Sequence, residues 1–533
     1  MLWLAIHLPQ LSLEAWAATL PPPQQAQPLA LLEAHRILAA SAAATADGVQ
    51  PGMKRATALA LSPGLLLGQA DARRDQEALQ AVVHAALAFT PAVTLEGSAT
   101  VLLEVATSLR FFGGTQALLA RLRRALAPLG HRTRIARAPT ALGAALLARW
   151  RGDAGDADAT TAGRPAVQDL AALQRQLDAA PITLFDAARA HAPALQAMGL
   201  QRVADLLRLP RAGLARRFGE GLLGEIDRAR GTRADPRQWL CAPEAFDARL
   251  ELAARADRTE QVLHACALLL VRLLTWAQAR QARVQAFELR MQHELRHRAD
   301  ASTPAATELR IELAVPAADL AQLQTLLRER LARVQLAAPT LELRLHCHEW
   351  VQQPPPNAEL FPTRQGERSG LVRLLERLRA RLGDAQVLQL QAVADHRPER
   401  SGAAVPWGTR AAGTATAAAG QCLAGHPAAA SCAGPPAASG AAALQRPWPR
   451  PTWLLPEPQP LPEHQAKPWF EGRPLQLLAG PERIECGWWD DGLAARDYFI
   501  AQAADGSLLW IYRARLPVAD PAQPLWFLQG RFG

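Results

Sequence analysis

Up to Trp150 the chain alternates short apolar runs with stretches of helical spacing. Leu2 to Leu8 reads as a strand, and the run from Pro9 to about Leu20 as a helix. Ile37 to Ala40 is a second short strand, followed by a helix from Ser41 that ends in the glycine turns of Gly48 and Gly52. Between Asp71 and Phe89, Leu79, Val82, Val83, Ala86 and Leu87 recur at helical spacing, and Thr90-Pro91 closes the helix. A strand pair follows, Ala92 to Leu95 and Val101 to Val105. Within VLLEVATSLRFFGG, three apolar residues lead to one carboxylate, Glu104, and the run ends at Gly113-Gly114. This predicts a strand in the middle of a sheet with its acid near a cleft edge. Helix, strand and helix complete the pattern over Thr115–Leu129, Thr133–Ala138 and Thr140–Trp150. Such interleaving predicts an α/β or α+β first domain.

Pro181 to Arg230 is helical with short loops. Met198-Gly199-Leu200 precedes one helix, Leu209-Pro210 breaks the chain, and Arg216-Arg217-Phe218-Gly219 precedes another. Helices joined by glycine hairpins offer backbone N–H groups and arginines to DNA phosphates without reading bases. From Leu250 to Glu349 the order becomes strand, helix, strand, strand, helix, strand, with period-2 alternation in the strands. A proline-flanked segment then carries Asn357-Ala358-Glu359-Leu360-Phe361, and Leu371 to Leu382 reads as a short helix. Ser401 to Ala443 is dominated by Ala, Gly, Ser and Pro, too poor in core-forming residues to offset the entropy of ordering, and reads as a flexible tether. After it, Trp448, Trp453, Trp469, Trp488, Trp489, Trp510 and Trp526 crowd into a small β-rich module.

Composition narrows the function. The formal charge is +9 and the pI about 10.0, which suggests an anionic partner, nucleic acid first. Nearly every base is arginine, since Lys54 and Lys467 are the only lysines. The cysteines form no CxxC pair, which argues against a zinc ribbon or a disulfide scaffold and fits a reducing compartment. The apolar N-terminus lacks a basic leader, and no uninterrupted apolar run reaches a membrane span, so the expectation is a cytoplasmic protein.

Several segments resemble the Y-family of translesion DNA polymerases, and more closely its divergent ImuB-type members. Ile37 to Met53 is similar to the strand and fingers motif that ends in a Gly-Val-x-x-Gly-Met turn, here Gly48, Val49, Gly52 and Met53. Ala88-Phe89-Thr90-Pro91 and Gly97 to Ser108 resemble the palm segment, and Arg134 to Ala148 the strand and helix after it. Gly480 to Glu485, Gly487-Trp488-Trp489, Arg496-Asp497-Tyr498 and Trp526-Phe527-Leu528 resemble the ImuB-type tail. The resemblance implies a multidomain α+β chain. Its parts are a polymerase-like palm and fingers (1–165), a helical thumb with a helix-hairpin-helix-like element (166–240) and an α+β little finger (241–350). A clamp-binding-like segment with a short helix (351–400), a disordered linker (401–446) and a Trp-rich β module that binds partners (447–533) complete it.

The departures from the family pattern bear on mechanism. Two-metal phosphoryl transfer needs carboxylates that hold paired cations. The family's acids on the first strand fall at Ala5 and His7, and the acid pair of the palm signature at Ala99 and Thr100. Alanine ligates nothing, and imidazole suits magnesium poorly. The triphosphate-contacting positions of the fingers fall at Ala42 and Thr45. The expectation is therefore a non-catalytic adaptor with no metal or other cofactor. The alternative is an active error-prone polymerase whose magnesium is held by Glu14, Glu96 or Glu104. A third possibility is a DNA-binding scaffold unrelated to polymerases, from which a distinct α+β palm and little finger would separate it. By resemblance the partners are primed or damaged DNA, the sliding clamp through Asn357 to Phe361, an ImuA-type RecA-like protein, and an error-prone C-family polymerase. The damage response to which such proteins belong is the SOS response. Phosphate contacts are expected from Arg208, Arg211, Arg216 and Arg217 in the hairpin region and Arg283 and Arg290 on a little-finger strand. Partner contacts are expected from Trp488, Trp489, Arg496, Asp497, Tyr498 and Trp526.

Overall fold

The computed structural model describes residues 1–154, 169–294, 304–352, 364–408, 449–490, 492–516 and 525–533. They divide into two units, Met1–Arg381 and Leu382–Gly533.

The first unit starts with β1 (Trp3–His7). A small sheet follows from β2 (Leu29–Glu33), β3 (Arg36–Ala40) and β4 (Leu66–Gln69). Then come β5 (Val93–Leu95), β6 (Thr100–Glu104), β7 (Arg134–Ala138) and the two-residue β8 (Asp153–Ala154). The main sheet is antiparallel throughout, in the order β5-β6-β1-β7-β8. The central strand is β1, with β6 beside it, so Glu104 is not on the middle strand. Strand β1 is buried on both faces. Leu4 and Ile6 pack with the Ala72–Leu87 and Thr115–Leu126 helices, while Trp3 and Ala5 pack with the Ala141–Arg151 helix. The first of these helices is started by Asp71, whose carboxylate accepts from the Arg73 and Arg74 N–H groups at 2.9 and 3.4 Å. In the small sheet, β2 pairs antiparallel with β3 and parallel with β4. The turn after it has φ of +93° at Gly48 and +88° at Gly52, a region that glycine enters without a Cβ clash.

The thumb helices between Leu170 and Arg230 share one core with the Ala141–Arg151 helix. Buried Glu225 accepts from the Asp186 and Ala187 N–H groups, both at 3.0 Å, and so caps the short Asp186–Arg189 helix. The little finger is an antiparallel sheet of β9 (Phe246–Ala256), β10 (Ala282–His293), β11 (Ala306–Ala317) and β12 (Thr340–Gln352), in the order β11-β10-β12-β9. Its apolar face packs with the Thr259–Ala279 and Leu320–Leu331 helices. The Thr259–Ala279 helix is long and apolar enough to cross a membrane by length and composition, yet its apolar residues fill this core. It also lies on the palm helix Ala72–Leu87. There Arg272, 3% exposed, meets Glu77 at 3.4 Å, and burial pushes the carboxyl up and the guanidinium down in pKa against their mutual attraction.

The second unit joins a hairpin of β13 (Leu388–Ala392) and β14 (Gly402–Pro406) to two further sheets. After β15 (Trp453–Leu461) come the short strands β16 (Glu463–His464), β17 (Lys467–Phe470) and β18 (Arg473–Pro474), which pair among themselves. Then β19 (Gln476–Cys486), β20 (Ala494–Gln502), β21 (Leu508–Ala514) and β22 (Trp526–Arg531) join β15 in the order β15-β22-β21-β20-β19. Two assignments made from composition change here. Gly402–Pro406, read as tether, is a strand paired with β13. The β-rich unit begins well upstream of Pro447, because Arg397 and Glu399 supply interior partners to strands and turns beyond Trp453. The rest of the low-complexity stretch, residues 409–443, lies outside the described residues and falls inside the sequence of this unit.

Candidate functional site

At the end of the palm sheet to which the resemblance assigned the metal-binding positions, β1 and β6 place His7 opposite Thr100. The His7 Nδ1 lies 3.0 Å from the Thr100 hydroxyl. Ala5 stands opposite Leu102, with Ala136 on its other side, and is fully buried. Ala99, in the turn before β6, contributes its carbonyl to Leu8 N–H at 2.9 Å. The four positions predicted from the family pattern are thus brought to one corner, and none supplies a carboxylate. The pKa of His7 is lowered to about 4, first by burial and then by the Arg149 guanidinium. A hydrogen bond with the Ala99 backbone opposes the shift, and the Arg134 charge adds to it. At neutral pH the imidazole is uncharged. A pair of divalent cations does not fit this donor set: it holds one neutral imidazole, one hydroxyl and two nearby positive charges.

The acids of the alternative reading have other partners. Glu14 accepts from the Arg132 N–H at 3.0 Å. The Glu96 carboxylate is held by Arg237, which also binds Asp235. Glu104 accepts from the Leu2 and Ala106 N–H groups, both at 3.2 Å, and pairs across the sheet with Trp3. Strand rise puts it about 13 Å along β6 from Thr100, so it lies at the opposite end from His7 and not near the cleft edge. In the fingers, Ala42 is exposed at the start of a short helix, and the Thr45 hydroxyl donates to the Ser41 carbonyl at 2.9 Å. Neither position carries an aryl hydroxyl or a cation for a triphosphate.

Of the arginines expected to meet phosphate, Arg208, Arg216 and Arg217 are exposed in the hairpin region, Arg208 lying 3.8 Å from Asp205. Arg211 is instead paired with Asp227, tying the Arg211–Phe218 helix to the Glu220–Arg230 helix. Arg283 is half-buried on β10, and Arg290 pairs with Glu308 at 3.7 Å. That sheet's outer face is charge-compensated, since Arg249 meets Glu342 at 2.6 Å, Arg344 meets Asp247, and Arg310 meets Glu312 and Glu349 at 2.8 and 2.7 Å. The basic excess sits in the palm: between Glu104 and Asp153 the chain has nine arginines and no acid. That run was the available signal for Arg134 and Arg149, which the family pattern does not mark.

In the second unit, Trp488 is 80% exposed and Trp489 57%, edge to face with each other. Of the other expected partner residues, Tyr498 and Trp526 are buried and Arg496 and Asp497 are half-buried. Tyr498 is buried, stacks on Trp510 at 4.2 Å and donates to Gln529 at 2.6 Å, and Trp526 is buried against Phe499. Arg496 binds Glu399 at 2.9 Å, and Asp497 is held by Arg483 at 2.8 Å. Side chains at these strand positions alternate inward, where the small module needs its core. Asn357 to Phe361 lies outside the described residues.

Comparison with known proteins adds to this geometry. The sequence model of the impB/mucB/samB family matches residues 16–149. The curated protein ImuB of Caulobacter vibrioides, found in two strains, is 29% identical over 512 residues, covering 91% of this chain and all of the relative. Among solved structures, a Dbh ternary complex matches at 14% identity and a TM-score of 0.37 over 65% of this chain and 98% of that one. A Y-family polymerase chimera built on Dbh matches at 0.36. With the family match falling on the palm and fingers, and the relative covered over its whole length, the chain is similar to ImuB and, in its palm and fingers, to the impB/mucB/samB family.

Proposed function

We propose that this chain is a non-catalytic, polymerase-like adaptor in damage-induced translesion synthesis. It holds primed DNA and brings to it a polymerase that does the synthesis. One observation carries the reading: the corner that must seat two cations presents His7 and Thr100 beside Arg134 and Arg149. Phosphoryl transfer without oxygen donors for paired metals loses both activation of the 3′ hydroxyl and neutralisation of the leaving triphosphate. Exposed arginines of the thumb and the acid-free palm run support DNA binding. The exposed Trp488-Trp489 pair supports a protein contact, for which an ImuA-type RecA-like protein or a C-family polymerase is the partner implied by resemblance.

In primer extension with magnesium or manganese, the purified chain is expected to add no nucleotide above buffer. It is expected to bind primed DNA with an affinity that falls steeply with salt. Template-directed incorporation that survives repurification overturns the adaptor reading. For the clamp, Leu360→Ala with Phe361→Ala is expected to abolish pull-down by the sliding clamp and leave DNA affinity unchanged, because two apolar anchors dominate such short peptides. Retained pull-down places the clamp contact elsewhere.

A further inference from the structure

The Ala141–Arg151 helix ends against β7 at the corner described above. Gly152 permits the approach, since a Cβ there would lie 2.8 Å from the Arg134 Cβ and 2.7 Å from the Ala148 carbonyl. The Arg134 Nη1 donates to the Arg149 carbonyl at 3.3 Å, which ties the Arg134 side chain to the end of this helix. Arg134 is exposed on the strand neighbouring β1, directly across from His7. The Arg149 side chain is largely buried and reaches Asp186 at 3.4 Å. That exposed acid is shared with Arg189, which is closer at 2.8 Å. Opposite Arg149 is the β5–β6 turn, where an added Cβ on Gly97 would come within 3.4 Å of its guanidinium. Both positive charges act on His7, each lowering its pKa, so an anion at this corner meets the field of both. Planar guanidinium forks suit phosphate oxygens.

We propose that this corner binds a phosphate of the DNA backbone, with Arg134 and Arg149 taking the electrostatic role that divalent cations hold in an active polymerase. The inference rests on the DNA-holding reading above. A nucleoside triphosphate offers the same oxyanions, but Ala42 and Thr45 leave the fingers side without groups to receive its tail. The neutral His7 and the Thr100 hydroxyl present no negative charge to repel a phosphate. Binding at this corner therefore needs no magnesium.

The test is fluorescence anisotropy with labelled primed DNA over a salt series, in EDTA and in magnesium, using the full chain. Arg134→Gln with Arg149→Gln is expected to raise the dissociation constant about tenfold and to flatten the log–log salt slope by about one to two, as the loss of one or two phosphate contacts requires. Magnesium is expected to give no gain in wild-type affinity. His7→Asp is expected to weaken binding in EDTA, because a carboxylate there captures the guanidiniums. It removes neither arginine, so it serves if the double variant does not fold. A folded double variant with wild-type affinity and slope overturns the site alone. So does a labelled nucleoside triphosphate that depends on both arginines while DNA binding does not. Wild-type protein with no affinity for primed DNA overturns both the site and the reading beneath it.

Discussion

A fragment spanning Leu382 to Gly533 is expected to fold and melt cooperatively, whereas one beginning at Pro449 is expected to lack a cooperative transition. The shorter fragment contains every strand of the main β sheet but loses Arg397 and Glu399. Arg397 is 2% exposed and meets Asp395 at 2.6 Å, Asp490 at 2.7 Å and the Gly492 carbonyl at 2.9 Å. Glu399 meets Arg496 at 2.9 Å and accepts from Gln529 at 2.8 Å, which in turn receives the Tyr498 hydroxyl. Removing one partner of such a network leaves the others without their charge or hydrogen bond, and the network lies against the small core that holds Tyr498 and Trp510. Circular dichroism and thermal melting of the two fragments decide the matter, with Arg397→Ala in the full chain as the point test. Two matched transitions would place the boundary after residue 448.

The same network gives this unit an acid limit. Arg397 holds the Asp490 and Asp395 carboxyls below the usual carboxylate range. A depressed carboxyl contributes stability that is present above its unfolded pKa, about 4, and is lost as pH falls below it toward the folded value. The melting temperature of the longer fragment should therefore hold near neutrality and drop below about pH 4.

The second large effect is expected at the contact of palm and little-finger helices. Glu77→Gln removes the countercharge of a buried arginine. The expected loss is on the order of 3 kcal/mol, the lower end for breaking a buried pair, because Glu77 is still one-quarter exposed. The pair itself stabilises little, since burial disfavours both charges. Replacing both, as Glu77→Leu with Arg272→Met, is accordingly expected to recover most or all of the loss. Denaturant unfolding of wild type, the single variants and the double variant measures this cycle. A Glu77→Gln protein as stable as wild type would mean that water reaches Arg272 in solution.

Much of the palm was legible because its signals are local. The helical spacing from Leu79 to Leu87 and the Gly48 and Gly52 turns each depend on neighbours a few residues away, and the structure has both. The meeting of His7 and Thr100 was also legible, but only through the family pattern, since 93 residues separate them. The tail is less legible for a related reason. A tryptophan or tyrosine serves equally as core or as contact surface, and composition does not say which way a strand residue points. Trp488 and Trp489 are exposed in a turn, while Tyr498 and Trp526 fill the interior of strands close by in sequence.

What the sequence determined by itself was the order of elements and the absence of any acid from the first strand, because periodicity and side-chain chemistry are properties of short segments. Only the tertiary structure decided that β1 is the central strand, that Arg397 belongs to the unit of Asp490, and that Arg134 and Arg149 stand beside His7. Those are pairings between distant residues, selected by which surfaces can be buried together and which charges must then be matched.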